Sequence, residues 1–224
     1  MLDHLLSRLT NIVYILPIYF ISLTIHEYSH GLVAYKLGDP TAKDSGRLSL
    51  NPLRHIDPIG LIMMVLVRFG WAKPVPVNPL YFKNPKKGMM LTAIAGPVSN
   101  FLLSFVTAFI TFILMYLNYA VDSAVIYYAC VFFSLMTHVN IALAVFNLIP
   151  VHPLDGSRIL NYFLPNSFSN FFYKYGNYIY IAFFVFLMTT DVVGNAISVV
   201  QSYVFTAYGY LLKTPAYLLA NLFV

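Results

Sequence analysis

A chain of 224 residues that is 59% hydrophobic and only 9% charged cannot clothe a water-facing surface, because soluble domains carry about 25% charged residues. The formal net charge of +5 does not point to nucleic acid, since the basic residues sit in short loops between apolar blocks, as in cytoplasmic loops of membrane proteins. Cys130, the only cysteine, excludes an internal disulfide.

The first apolar block runs from about residue 9 to residue 37, with Pro17 as a kink site and Gly38, Asp39 and Pro40 as its stop. A helical crossing of hydrocarbon about 30 Å thick needs roughly 20 apolar residues, so this block is expected to span. It lacks a basic leader, a short apolar core and a small-residue cleavage site, and reads as retained. Residues 41–58 are polar, and residues 47–51 alternate as a short strand would. Residues 59–69 are apolar but too short for a full crossing, which suggests a partial or re-entrant helix. The run 71–79 carries Pro74, Pro76 and Pro79, and must be extended, neither helix nor interior strand.

A second full span is expected over about 87–117 and a third over about 122–149. Pro150, Pro153 and Gly156 then break the chain, and a short helix follows to Leu164. Residues 173–188 read as a further span. Residues 195–224 fit one more span or an interfacial helix. No internal repeat is evident. The expected fold is therefore an all-α polytopic membrane protein, a bundle of about four to six transmembrane helices with short extended or re-entrant segments. It forms a single domain over residues 1–224, with a catalytic core of about 9–164 and C-terminal helices over about 170–224.

Lys36, Lys43, Arg47 and Arg54 follow the first span; Lys73, Lys83, Lys86 and Lys87 precede the second; Arg158 and Lys174 follow the third. The turn at 118–123 has no Lys or Arg. If residues 59–69 enter and leave on one side, all basic loops lie together in the cytoplasm, with the N-terminus outside.

Ionisable residues inside a span cost about 2.5–3.5 kcal/mol each on insertion scales and are functional candidates by default. The first span holds His26-Glu27-Tyr28-Ser29-His30. Residues four apart share one helix face, so both imidazoles can address one ion, and two neutral histidines suit zinc. Glu27 is not needed as a ligand and can take a proton from water beside the metal.

A catalytic zinc takes a third protein ligand and keeps a fourth position open. Asp3, Asp39, Asp44 and Asp57 lie in loops or at the terminus, and Asp122 sits at the turn expected outside. Asp155 follows the third span at its cytoplasmic end, the end toward which His30 lies. His138 lies about three turns deeper at a rise of about 1.5 Å per residue. Depth therefore selects Asp155, which two prolines and a following glycine place on a bend able to aim a carboxylate.

Together these segments resemble the site-2 protease family of intramembrane zinc metalloproteases, in its minimal prokaryotic form without an inserted PDZ domain. The residues that carry the resemblance are the HExxH of His26 to His30, and Asn147, Pro150, Leu154, Asp155 and Gly156 as N-x-x-P-x-x-x-L-D-G. Gly96-Pro97-Val98-Ser99-Asn100 resembles the glycine motif of the intervening core helix. The resemblance implies one catalytic Zn2+ held by His26, His30 and Asp155, with Glu27 as general base. Asn147 would orient the substrate carbonyl or stabilise its oxyanion. Gly96 is expected to allow close helix packing, and Asn100 a packing hydrogen bond. His152 is an extra imidazole without an assigned role.

The implied activity is hydrolysis of peptide bonds in or near transmembrane segments of single-span substrates, in a multi-pass cell-membrane enzyme whose site faces the cytoplasm. The lipid bilayer is the partner that composition requires; self-association or a regulatory partner stays open. Two rival readings also stand. A membrane metal transporter would use the same cluster but spread polar side chains over several spans, often in repeats. An inactive scaffold would lack the glutamate or a ligand.

Overall fold

The computed structural model describes residues 14–63, 70–165 and 174–223, and the backbone of residues 2–13, 64–67 and 166–173 within their helices. In chain order the helices are α1 (Leu2–Lys36), α2 (Thr41–Asp44), α3 (Pro58–Val67), α4 (Pro85–Val121), α5 (Ala124–Asn147), α6 (Asp155–Phe163), α7 (Asn166–Thr189) and α8 (Val192–Ala220). Among the described residues there is no strand. Among the described residues two helices, α4 and α5, are long and apolar enough by themselves to cross a membrane. Residues 174–189 and α8 pass the same test as a pair bent by 75°.

The side chains are distributed inside out. On α4 the buried positions include Thr92, Gly96, Asn100, Ser104, Thr107 and Thr111, whereas Val98, Phe101, Leu102, Phe105 and Val106 are exposed. Water would invert that pattern; hydrocarbon rewards it, because small and polar residues are what helices use to pack together in lipid. The buried hydroxyls and amides find one another across helices. Asn140 donates to Ser22 Oγ at 2.9 Å, Thr137 to Thr107 Oγ1 at 2.9 Å, and Ser104 pairs with the Tyr208 hydroxyl at 2.9 Å. Beside this seam Ala108, Phe112, Ile141, Tyr208, Leu212 and Ala216 form the apolar centre that joins α4, α5 and α8.

The helix stops follow local chemistry. Gly38 takes φ +106 after α1, a left-handed conformation that costs glycine nothing. Asn84 caps α4 by accepting from Lys87 N–H at 3.1 Å, with Pro85 at the first helical position. Residues 59–69 were expected as a partial helix, and α3 supplies it up to Val67; residues 68–69 lie outside the described residues.

One expectation fails. Residues 47–51 form no strand; the nearest approach to a ladder is a single antiparallel bridge between Ile56 and Ala72. The reason lies in the facing segment, where Pro74 and Pro76 offer no N–H for a ladder. Instead the Arg47 guanidinium donates to the carbonyls of Lys73 and Pro74. Residues 73–78 of the proline run form neither helix nor strand, as expected, but Pro79 opens a single 3-10 turn to Tyr81 because Asn78 accepts from Leu80 N–H.

Candidate metal centre

His26 and His30 lie one turn apart on α1 and are 4% and 6% exposed. Asp155 opens α6 and is 7% exposed. Its placement depends on the tight turn after α5, where a Cβ on Gly156 would run into the backbone carbonyls of Leu148 and Ile149. Only glycine lets the chain fold back that closely. The turn carries the carboxylate onto α1. His26 Nε2 and His30 Nε2 are 3.0 Å apart, and Asp155 Oδ2 is 3.2 Å from the first and 3.3 Å from the second.

These three atoms fit a zinc ion on two grounds. Ligands at about 2.05 Å from a tetrahedral zinc are about 3.3 Å from each other, and the observed triangle has nearly those edges. The second ground is protonation. His30 Nδ1 lies 2.7 Å from Thr92 O; a carbonyl only accepts, so Nδ1 carries the hydrogen and Nε2 of the neutral ring offers its lone pair. His26 Nδ1 likewise faces Asn100 Oδ1 at 3.2 Å. Asp155 Oδ2 has no hydrogen-bond donor. Three buried lone-pair atoms thus converge with no proton between them, an arrangement that a cation at their centre stabilises and its absence does not.

The floor of the centre is α4. A Cβ on Gly96 would lie 2.5 Å from His26 Cε1, His30 Cε1 and His30 Nε2. Gly96 therefore does more than let helices approach: it vacates the space that the two imidazoles occupy. Asn100, expected as a packing bond, holds a ring nitrogen of His26 instead. Thr92, Gly96 and Asn100 recur every four residues on one face, a pattern that could have exposed their common target from sequence.

Glu27, next to His26, is half-buried, and its Oε2 accepts from Val75 N–H at 2.8 Å. Nothing in the local sequence of either segment announces this contact, which joins positions 48 residues apart. Asn147 is not brought into the triad by any contact; its amide donates to Leu143 O at 2.9 Å within α5. His138 stays in the α5–α8 interface, bonded to Ser134 O and set against the Phe205 ring at 4.9 Å. Asp122 caps the far end of α4 with φ 47. His152 is exposed on the loop before Asp155, its imidazole pushed down in pKa by burial of part of the ring and by Arg158. Among the described residues His26, His30 and Asp155 form the group able to hold a metal. Among the described residues the buried polar seam of α1, α4, α5 and α8 contains hydroxyls and amides but no carboxylate, imidazole or ammonium outside the triad.

A sequence profile of Peptidase family M50 matches residues 14–190. A Bacillus subtilis protein named as a zinc metalloprotease, YwhC, is 40% identical over 178 residues, covering 79% of this chain and 80% of its own length. Rip2 of Mycobacterium tuberculosis, also named as a zinc metalloprotease, is 27% identical over 148 residues, or 63% of this chain and 54% of that protein. The Mycolicibacterium smegmatis Rip2 is 26% identical over 144 residues. No solved structure matches.

Proposed function

This chain belongs to peptidase family M50, the site-2 protease family, and is a zinc metalloprotease; on that premise we propose that it cuts peptide bonds in or near the transmembrane segments of single-span membrane proteins. The observation that carries the proposal is the burial of three convergent lone-pair atoms among helices whose outer faces are apolar. A protease site at that depth addresses chains that are themselves in the bilayer.

We assign His26, His30 and Asp155 as the zinc ligands and Glu27 as the general base. Bound zinc supplies Lewis acidity toward water and toward the scissile carbonyl. Glu27 takes the proton from the attacking water and delivers it to the leaving amine. The hydrogen bonds from His26 to Asn100 and from His30 to Thr92 fix both tautomers so that each Nε2 keeps its lone pair. Asn147 has one of its two amide hydrogens on Leu143 O, and we assign the other to the substrate carbonyl. His26, His30 and Asp155 are at most 7% exposed, and burial of that degree strengthens the charge interactions among them.

The whole chain works as one multi-pass domain, with α1, α4, α5 and the bent α7–α8 pair in the membrane. The basic loops support an orientation in which the triad faces the cytoplasm. The test is a purified, reconstituted enzyme with a single-span substrate. Glu27→Gln should abolish cleavage while zinc is retained; undiminished cleavage by that variant rejects Glu27 as the base. Metal flux into liposomes without proteolysis would favour the transporter instead.

A further inference from the structure

The proline-flanked strap of residues 73–78 crosses directly over the turn of α1 that carries Glu27. Pro74 and Pro76 have no N–H, so Val75 supplies the one amide donor among the three, and it is spent on Glu27 Oε2 at 2.8 Å. The strap is fixed on both sides of that bond. Lys73 N–H donates to His55 O at 2.8 Å. The guanidinium of Arg47 holds the carbonyls of Lys73 and Pro74. Asn78 N–H donates to Asp39 Oδ2 at 2.7 Å. Between these anchors the Val75 side chain packs on Gly31, where an added Cβ would lie 3.2 Å from Val75 Cγ1.

The anchors are costly in themselves. Arg47 is 9% exposed and has no carboxylate partner among the described residues, and one of its nitrogens, Nε, is buried without an acceptor. Asp39 is fully buried. Burying a cation against carbonyls alone is unfavourable unless the geometry it enforces is worth keeping. What it enforces here is the direction of a single N–H.

Resting on the reading of Glu27 as the general base, we propose that the 73–78 strap is a positioning element for that base, with the Val75 amide as the contact and Arg47 and Asp39 as its anchors. A carboxylate held at one oxygen by a fixed, charge-assisted hydrogen bond cannot rotate freely, and the other oxygen keeps one direction for the proton it must take. Proton transfer by a positioned side chain contributes about 10²–10⁴ in rate, and misplacement by about 1 Å can forfeit about a hundredfold. With its N–H on Glu27 Oε2, Val75 has no amide donor left to pair with an extended substrate chain.

The deciding variant is Val75→Pro, which deletes one N–H from a segment that is already extended and proline-flanked. Each variant of the full chain is purified, its zinc is counted, and kcat and KM are measured on a reconstituted single-span substrate. In Val75→Pro, kcat should fall about tenfold to a hundredfold, with KM within about twofold and one zinc retained. Val75→Ala, which keeps the N–H, should recover at least about tenfold of that loss. Arg47→Met, which loosens the strap and leaves Val75 in place, should show the same split with a smaller drop. A wild-type kcat in Val75→Pro beside a dead Glu27→Gln overturns the positioning role and leaves the base standing. Raised KM at unchanged kcat assigns the strap to the substrate instead. If Val75→Pro loses its zinc, Arg47→Met decides, and zinc loss from both overturns the proposal. An active Glu27→Gln removes the base and the strap's role together.

Discussion

Gly96→Ala adds one methyl group at the floor of the metal centre. Its Cβ would sit 2.5 Å from three atoms of the two imidazoles, whereas ordinary carbon contacts begin near 3.5 Å. The rings or α4 must therefore give way by about 1 Å, five times the ~0.2 Å that ligand distances tolerate at a metal site. The rings cannot retreat cheaply, because each Nδ1 is tied to α4 itself through Asn100 and Thr92. Moving α4 instead costs about 1–3 kcal/mol of overpacking and still separates those bonds. Zinc content after purification should drop to a small fraction of one per chain, and cleavage of a reconstituted substrate should fall at least about a hundredfold. Val98→Ala, on the exposed face of the same helix, should keep its zinc. A Gly96→Ala protein with one zinc per chain and undiminished turnover would refute the cradle.

Asn100→Leu removes the partner of His26 Nδ1 and should weaken zinc about 10–100-fold, measured by competition with a chromogenic chelator; unchanged affinity would show that the ring needs no partner. In the polar seam, Thr137→Val alone leaves Thr107 Oγ1 without its 2.9 Å partner across the helices. It should cost about 0.6–1.7 kcal/mol in a detergent unfolding titration, and Thr107→Val added to it should cost little more. Fully additive losses would mean the two hydroxyls are not coupled. Gly156→Ala forces a Cβ into the carbonyls of Leu148 and Ile149 and should strip zinc by swinging Asp155 away, a result read directly from metal analysis; retained zinc would show that the turn can relax.

Much of the centre was legible because its signals are local. His26 and His30 lie four residues apart on a helix, and Asp155 follows a run of helix breakers. The charge of the loops puts the two at one expected depth, and the structure brings their side chains together. Contacts that join distant segments were not legible in the same way. Arg47 read as a loop charge, yet its stem and head are buried because the prolines opposite leave carbonyls without a ladder to satisfy them. That replacement of backbone pairing by a side chain is also why the period-two alternation of residues 47–51 misled. The sequence marks Gly96 as a packing glycine, which is half of its role; the two imidazoles that fill the space it leaves come from a helix far earlier in the chain, beyond the reach of local pattern. The bend between α7 and α8 falls at Thr190 and Asp191, where composition marks a break but fixes no angle.

The most direct test is zinc K-edge X-ray absorption on the purified protein, paired with metal counting in His30→Ala and Asp155→Ala. One zinc per chain, bound by two imidazole nitrogens and carboxylate or water oxygens at about 2.0–2.2 Å, and lost from both variants, is the predicted result. Full zinc with an unaltered spectrum in Asp155→Ala would contradict the account.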